Sequence, residues 1–129
     1  MKIIQQNKNL KYFPSFGRED YLSLLKYASC LIGNSSSGII EAPSFGTPVI
    51  NIGTRQQGRE HAVNVVDVPE FRKEKILNGI NYVLYNAKFK DKLKNCENPY
   101  GDGRTSERIC KILKEVNITD ELLQKRIVY

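Results

Sequence analysis

A triple serine followed by a glycine and then by a carboxylate is the part of this sequence best suited to bind a ligand. Ser35, Ser36, Ser37 and Gly38 follow an apolar stretch, at a point where a helix is predicted to begin. The unpaired N–H groups and the positive dipole end of a helix start bind phosphate, and serine hydroxyls add donors. Glu41 follows about one and a half turns later and suits a pair of sugar hydroxyls. The segment therefore predicts a pocket for a nucleotide, and especially for a nucleotide sugar.

The elements that must position these residues alternate between strand and helix. Apolar periodicity predicts strands at 9–16, 29–32, 47–52 and 62–68, and helices at 18–28, 70–85 and 105–116. A further helix runs from the serines to Phe45, where Gly46 ends it and Pro43 implies a kink or an early stop. Thr105 is predicted to cap the helix that it begins, a short helix is predicted after Thr119, and 88–99 has no clear pattern. This alternation predicts an α/β fold, with a parallel sheet covered by helices on both faces.

Two loops follow strands of this predicted sheet. The turn 33–38 comes after one strand, and the loop 53–59, which carries two arginines, comes after the next. In parallel sheets, ligands bind at the carboxyl ends of the strands. We therefore expect both loops to open on the same edge and to form one site.

Bulk composition restricts the class of protein and its partners. A length of 129 residues fits one domain over 1–129, and a net charge of +6 favours anionic partners. Most of these charges fit solvated helix faces, and without a nucleic-acid-binding motif we expect no nucleic-acid partner. Neither a membrane span nor a signal peptide is present, which favours a cytoplasmic protein without membrane association.

The three cysteines and the single histidine bear on redox state and on metal binding. Cys30, Cys96 and Cys110 are odd in number and widely spaced, which is typical of free thiols in a reducing compartment. His61 has no close ligand partner, so no zinc site is predicted. We expect neither a metal nor a cofactor.

The segment 33–60, GNSSSGIIEAPSFGTPVINIGTRQQGRE, closely resembles UDP-N-acetylglucosamine 2-epimerases, especially the hydrolysing type that forms N-acetylmannosamine. Segments 16–22 and 98–103 also resemble that family. The resemblance implies a glycosyltransferase-B type fold with two Rossmann-like halves, of which this chain matches an incomplete C-terminal domain. The catalytic N-terminal domain and the family's acid/base residues fall outside the matching part, so the resemblance places no catalytic residue in this chain.

The resemblance also implies roles for the serine segment. Ser35 and Ser36 match positions whose hydroxyls and N–H groups hold the diphosphate of UDP. Ser37 and Gly38 extend the same turn, where glycine lets the backbone approach the phosphates closely. The alternative for the serines is plain helix capping.

Residues around this segment complete the implied UDP site. Glu41 matches the ribose-binding acid, and Arg55 matches an arginine whose fork clamps phosphate. Phe16 lies where family members contact uracil, although it also suits a core position. Arg59 has no clear direct role in the family match. His61 lies just after the motif and is not the family's essential histidine.

The function implied by the resemblance is conversion of UDP-N-acetylglucosamine to N-acetylmannosamine and UDP for sialic-acid-type sugar biosynthesis. One alternative is a relative acting on UDP-2,4-diacetamido-trideoxyglucose. Another is a non-catalytic module that binds a nucleotide sugar or docks a partner. Because the family sheet has earlier strands that this sequence lacks, the expected partner is either the missing N-terminal half or a second copy in a homo-oligomer.

Overall fold

A computed structural model describes residues 7–124 of the chain. The chain divides into two compact units, Met1–Pro99 and Tyr100–Tyr129. The first unit contains a parallel sheet with helices around it, and the second contains two helices. The predicted α/β class is confirmed, as an incomplete Rossmann-like arrangement with three strands among the described residues.

The first unit follows the predicted alternation of elements with shifted boundaries. Its strands are β1 (Leu31–Gly33), β2 (Val49–Ile52) and β3 (Val65–Val68). Its helices are α1 (Arg18–Tyr27), α2 (Ser37–Ile40), a 3₁₀ turn (Ala42–Phe45), α3 (Lys73–Tyr85) and α4 (Ala87–Leu93). Most of α4 lies in the segment 88–99, which has no clear pattern in the sequence.

The sheet has the order β1-β2-β3, and both pairs of strands are parallel. Since side chains alternate along a strand, neighbouring residues of β2 pack against different layers. Val49 packs with Leu25 of α1 and Ala42 of the 3₁₀ turn, whereas Ile50 packs with Val83 of α3. Helices therefore cover both faces of the sheet, as predicted.

The chain between the serines and β2 changes helix type at a proline. The α-helical turn α2 ends before Pro43, which lies in the first positions of the 3₁₀ turn. Gly46 then adopts a left-handed conformation with φ of 62°, and its N–H group donates to the carbonyls of Ala42 and Pro43. Glycine adopts this conformation without steric strain, so the predicted early stop of the α-helix at Pro43 and the predicted end of the helical segment at Gly46 are both confirmed.

The N-terminal part of the sequence departs from prediction. Residues 9–16 form no strand among the described residues, although their apolar content predicted one. These residues are exposed, and the aromatic rings of Phe13 and Phe16 contact each other at a centroid distance of 4.8 Å. The sheet of the described residues begins with β1.

The second unit contains α5 (Thr105–Glu115) and the short α6 (Asp120–Leu123). Thr105 does not cap α5, because Arg104 occupies the capping position and makes no side-chain capping bond. Asp102 organises this start, since it accepts bonds from the Arg104 N–H and from the Arg108 guanidinium, the latter at 2.6 Å for Nη2. These interactions lower the pKa of Asp102.

All three cysteines are free thiols, as expected. Burial raises the pKa of the Cys30 and Cys96 thiols, whereas Cys110 is exposed. In the described part of the chain, helices are too short and too polar to cross a membrane.

Candidate functional site

The serine turn, residues 33–38, runs from the end of β1 into the first residues of α2. Ser36 occupies the N-cap position, and its side chain makes no capping hydrogen bond. The Ser35 hydroxyl accepts a 3.3 Å bond from the N–H of Ser37. Because α2 is a single turn, its dipole is small, and an anion here must be held mainly by individual N–H and hydroxyl donors.

The next two residues of the predicted site point into the protein. Ser37 is buried, and its hydroxyl lies 2.6 Å from the hydroxyl of Tyr21 in α1. A Cβ atom on Gly38 would lie 2.7 Å from Cγ1 of Val49, closer than carbon atoms approach. Both residues therefore fix the turn against α1 and the sheet. Their direct contact with a ligand stays a prediction.

Glu41 lies between α2 and the 3₁₀ turn, one helical turn beyond Ser37, whose carbonyl accepts its N–H at 3.0 Å. The side chain is half-buried. Its Oε2 atom is buried and has no hydrogen-bond partner among the described residues. Leaving a carboxylate oxygen in this state is unfavourable, and a hydroxyl donor supplied by a ligand would relieve it.

A hydrogen bond joins the loop 53–59 to the serine turn. Gln56 is almost fully buried, with 4% of its surface exposed, and its Nε2 donates to the carbonyl of Asn34 at 2.8 Å. The expected proximity of the two loops is therefore confirmed. Arg55, next to Gln56, is exposed and makes none of the ion pairs found among residues 7–124. Its guanidinium is available for an anion, and its contact with phosphate stays a prediction.

Phe16 lies two residues before α1 and is exposed on 39% of its surface. The helix that follows is joined to the serine turn through the bond between Tyr21 and Ser37. A core role for Phe16 does not fit this exposure. A contact with uracil stays a prediction.

Sequence reasoning missed several polar residues that hold the site together. Gln56 was read only as part of a motif, yet it joins the two loops. Asn98 donates to the Ile40 carbonyl and to the Ser44 hydroxyl, at 2.9 and 2.7 Å, and so ties the segment after α4 to the end of α2. The signal for Gln56 and Asn98 was weak, because an isolated amide in a loop has no periodicity.

A second polar group lies at the carboxyl ends of β2 and β3. Asn51 donates to Asp67 Oδ1 at 2.7 Å, and His61 Nε2 lies 3.2 Å from Asp67 Oδ2. One signal in the sequence could have indicated this group, since Asn51 and Asp67 are single polar residues within apolar strands. Residues 7–124 contain no cluster of histidine, cysteine and acidic side chains that could hold a metal ion.

Comparison with known proteins finds one family and several of its members. A family model described as UDP-N-acetylglucosamine 2-epimerase matches residues 1–114. A hydrolysing UDP-N,N'-diacetylbacillosamine 2-epimerase of Legionella pneumophila is 41% identical over 99% of this chain and 33% of its own length. The polysialic acid biosynthesis protein P7 of Escherichia coli is 39% identical, over 89% of this chain and 29% of its own.

A UDP-N-acetylglucosamine 2-epimerase of Neisseria meningitidis serogroup B is 36% identical over 90% of this chain and 30% of its own length. The chain thus spans about a third of the length of these curated relatives.

Proposed function

Because the chain belongs to the UDP-N-acetylglucosamine 2-epimerase family, we propose that it is the UDP-binding part of a hydrolysing 2-epimerase. The proposed reaction converts UDP-N-acetylglucosamine to N-acetylmannosamine and UDP. The observation that carries the proposal is the buried, unpartnered Oε2 of Glu41, one turn beyond the serine turn. An acceptor at this place suits a ribose whose diphosphate lies on Ser35 and Ser36.

The chemical contribution of this part would be to stabilise the departing UDP. Negative charge grows on the diphosphate as its bond to the sugar breaks, and donors already in place favour that change over the ground state. Ser36, whose side chain makes no capping bond, and the exposed Arg55 are suited to this role. The acid and base that act on the sugar are proposed to lie outside this chain.

Two nucleotide sugars are candidate substrates. The activity of the Legionella relative supports UDP-N,N'-diacetylbacillosamine, which carries a 2,4-diacetamido-trideoxyglucose, as an alternative to UDP-N-acetylglucosamine. Incubating the chain with each compound and measuring free UDP and free sugar compares them. We expect the chain to bind both without releasing UDP, and release by the chain alone would contradict the placement of the acid and base elsewhere.

Isothermal titration with UDP tests the binding proposal. We expect wild-type protein to bind UDP, and Glu41→Gln to weaken binding by roughly tenfold or more, because bonds to a charged acceptor contribute about 1.5–3 kcal/mol. Glu74→Gln removes the same charge at an exposed position in the first turn of α3 and serves as the control. A folded wild-type sample that does not bind millimolar UDP would refute the proposal.

A further inference from the structure

A cavity of about 240 Å³ lies against the loop 53–59, which Gln56 joins to the serine turn, and it has no role in the proposed UDP contacts. Residues of the loop 53–59 form one side of it. The other side is formed at the carboxyl ends of β2 and β3, by Asn51, Asp67, His61 and Pro69. We call this space the strand-end pocket.

The polar groups of the strand-end pocket are held in fixed positions. Asn51 and Asp67 are direct partners in the register of β2 and β3, and both side chains lie on the sheet face that carries Val49 and Val65. Each oxygen of the Asp67 carboxylate has its own neighbour, Asn51 Nδ2 at 2.7 Å and His61 Nε2 at 3.2 Å. The carboxylate therefore orients the imidazole ring at the wall of the pocket.

A second observation, independent of Asn51, Asp67 and His61, concerns the side-chain amide of Gln56. Gln56 lines the strand-end pocket, and its Nε2 is occupied by the carbonyl of Asn34. Its Oε1 is buried and has no hydrogen-bond partner within residues 7–124. A buried amide oxygen without a donor is unfavourable, so this wall is suited to a ligand that brings an N–H or O–H group.

The mixture of groups indicates the chemistry of that ligand. Asp67 disfavours a phosphate, whereas Arg59 disfavours a cation. A neutral ligand whose groups both donate and accept satisfies Gln56, Asp67 and His61 together. Hydroxyl and acylamino groups on a sugar ring have this property.

The position of the strand-end pocket fits the other end of the same ligand. Glu41, the proposed ribose acceptor, follows the serines along the chain, whereas Gln56 attaches the pocket to Asn34, which precedes them. A nucleotide sugar has its diphosphate between ribose and sugar. We propose that the strand-end pocket receives the sugar ring, and that Asp67 and the imidazole it positions determine which sugar binds. This inference rests on the proposed UDP site.

The proposed role of the strand-end pocket is tested by titration calorimetry. The 129-residue chain is titrated with UDP, UDP-N-acetylglucosamine and UDP-N,N'-diacetylbacillosamine. We expect at least one nucleotide sugar to bind more tightly than UDP. In Asp67→Asn, which keeps the shape of the side chain, we expect that preference to fall by roughly threefold to tenfold while the Kd for UDP is unchanged. Glu70→Gln removes an exposed carboxylate three residues away and should leave both quantities unchanged.

The possible outcomes distinguish failure of the pocket proposal from failure of the proposed UDP site. No UDP binding by the wild type would refute the proposed function. UDP binding with no preference for either sugar, or with a preference that Asp67→Asn leaves intact, would refute the pocket alone. If Asp67→Asn does not fold, His61→Ala, at an exposed residue, replaces it and should reduce the same preference.

Discussion

The serine turn and the loop 53–59 meet at the same edge of the sheet but are held there by different forces. Packing seats the turn, since Gly38 lies against Val49 and Ser37 is bonded to Tyr21. The loop is exposed except at Gly53 and Gln56, and Gln56 bonds it to the turn. The core therefore fixes the proposed phosphate-binding groups of the turn, whereas the proposed arginine beside them, Arg55, lies on an exposed part of the loop.

The largest effect on stability is expected from a substitution at Gly38, where the serine turn packs against β2. Gly38→Ala places a methyl group 2.7 Å from Cγ1 of Val49, so we expect a loss of about 1–3 kcal/mol in the free energy of unfolding. Urea denaturation measures it. Gly17→Ala is the control, because the added Cβ has ordinary contact with Asp20 at 3.5 Å. Equal stability of the two variants would show that packing does not seat the turn.

Removing the Gln56 side chain should affect both stability and UDP binding. Gln56→Ala removes its bond to Asn34, and we expect a smaller loss of stability, about 1 kcal/mol, because the exposed Asn34 can be hydrated. Affinity for UDP should fall by several-fold, roughly, since Arg55 loses its fixed support.

Calorimetry and urea denaturation measure the two effects of the Gln56 change. Gln57→Ala, at the exposed neighbouring residue, is the matched control. A Gln56→Ala protein with wild-type UDP affinity would show that the position of the loop does not matter for binding.

A loss of stability similar to that of Gln56→Ala is expected when the bond between Tyr21 and Ser37 is removed. Tyr21→Phe removes one hydroxyl of the 2.6 Å pair, and we expect a loss of about 0.5–1.5 kcal/mol in unfolding free energy. Tyr27→Phe removes a hydroxyl from an exposed tyrosine of the same helix and should be neutral. If both variants unfold like the wild type, α1 is not tied to the serine turn through this bond.

The smallest expected effect is the contribution of Cys30 to the pH dependence of stability. Burial raises the pKa of Cys30, which precedes β1, above its ordinary value of 9.0. The folded state therefore holds this proton more tightly than the unfolded state, and the associated stability is present below pH 9 and lost as pH rises through the raised pKa.

Urea denaturation between pH 7 and about 10.5 measures this loss. Cys30→Ala should flatten the alkaline slope, whereas Cys110→Ala, at an exposed thiol, should keep it. Parallel slopes in all three proteins would contradict a role for the half-buried Cys30 thiol.

The sequence predicted the sheet well because apolar runs and glycine breaks identify buried parallel strands. It was correct at Gly46 and Pro43, where backbone chemistry leaves few choices. It was wrong for residues 9–16, since aromatic content alone does not supply a strand partner. It also placed a cap at Thr105, whereas Asp102 and Arg104 organise that helix start.

For the site, the sequence predicted that two loops share an edge but not what joins them. The bond from Gln56 to Asn34 spans 22 positions, and no local pattern encodes it. Likewise, Asp67 meets Asn51 only because β2 and β3 are in register. Contacts of this kind depend on tertiary structure, which propensity and periodicity do not report.

A two-dimensional ¹H–¹⁵N spectrum of the chain titrated with UDP tests the central claim most directly. The account predicts saturable shifts concentrated at the amides of Ser35 and Ser36 and of the loop 53–59, with little change in α4, which lies near the amino ends of β1 and β2. Shifts that cluster elsewhere, or that are absent from the serine turn at saturating UDP, would contradict it.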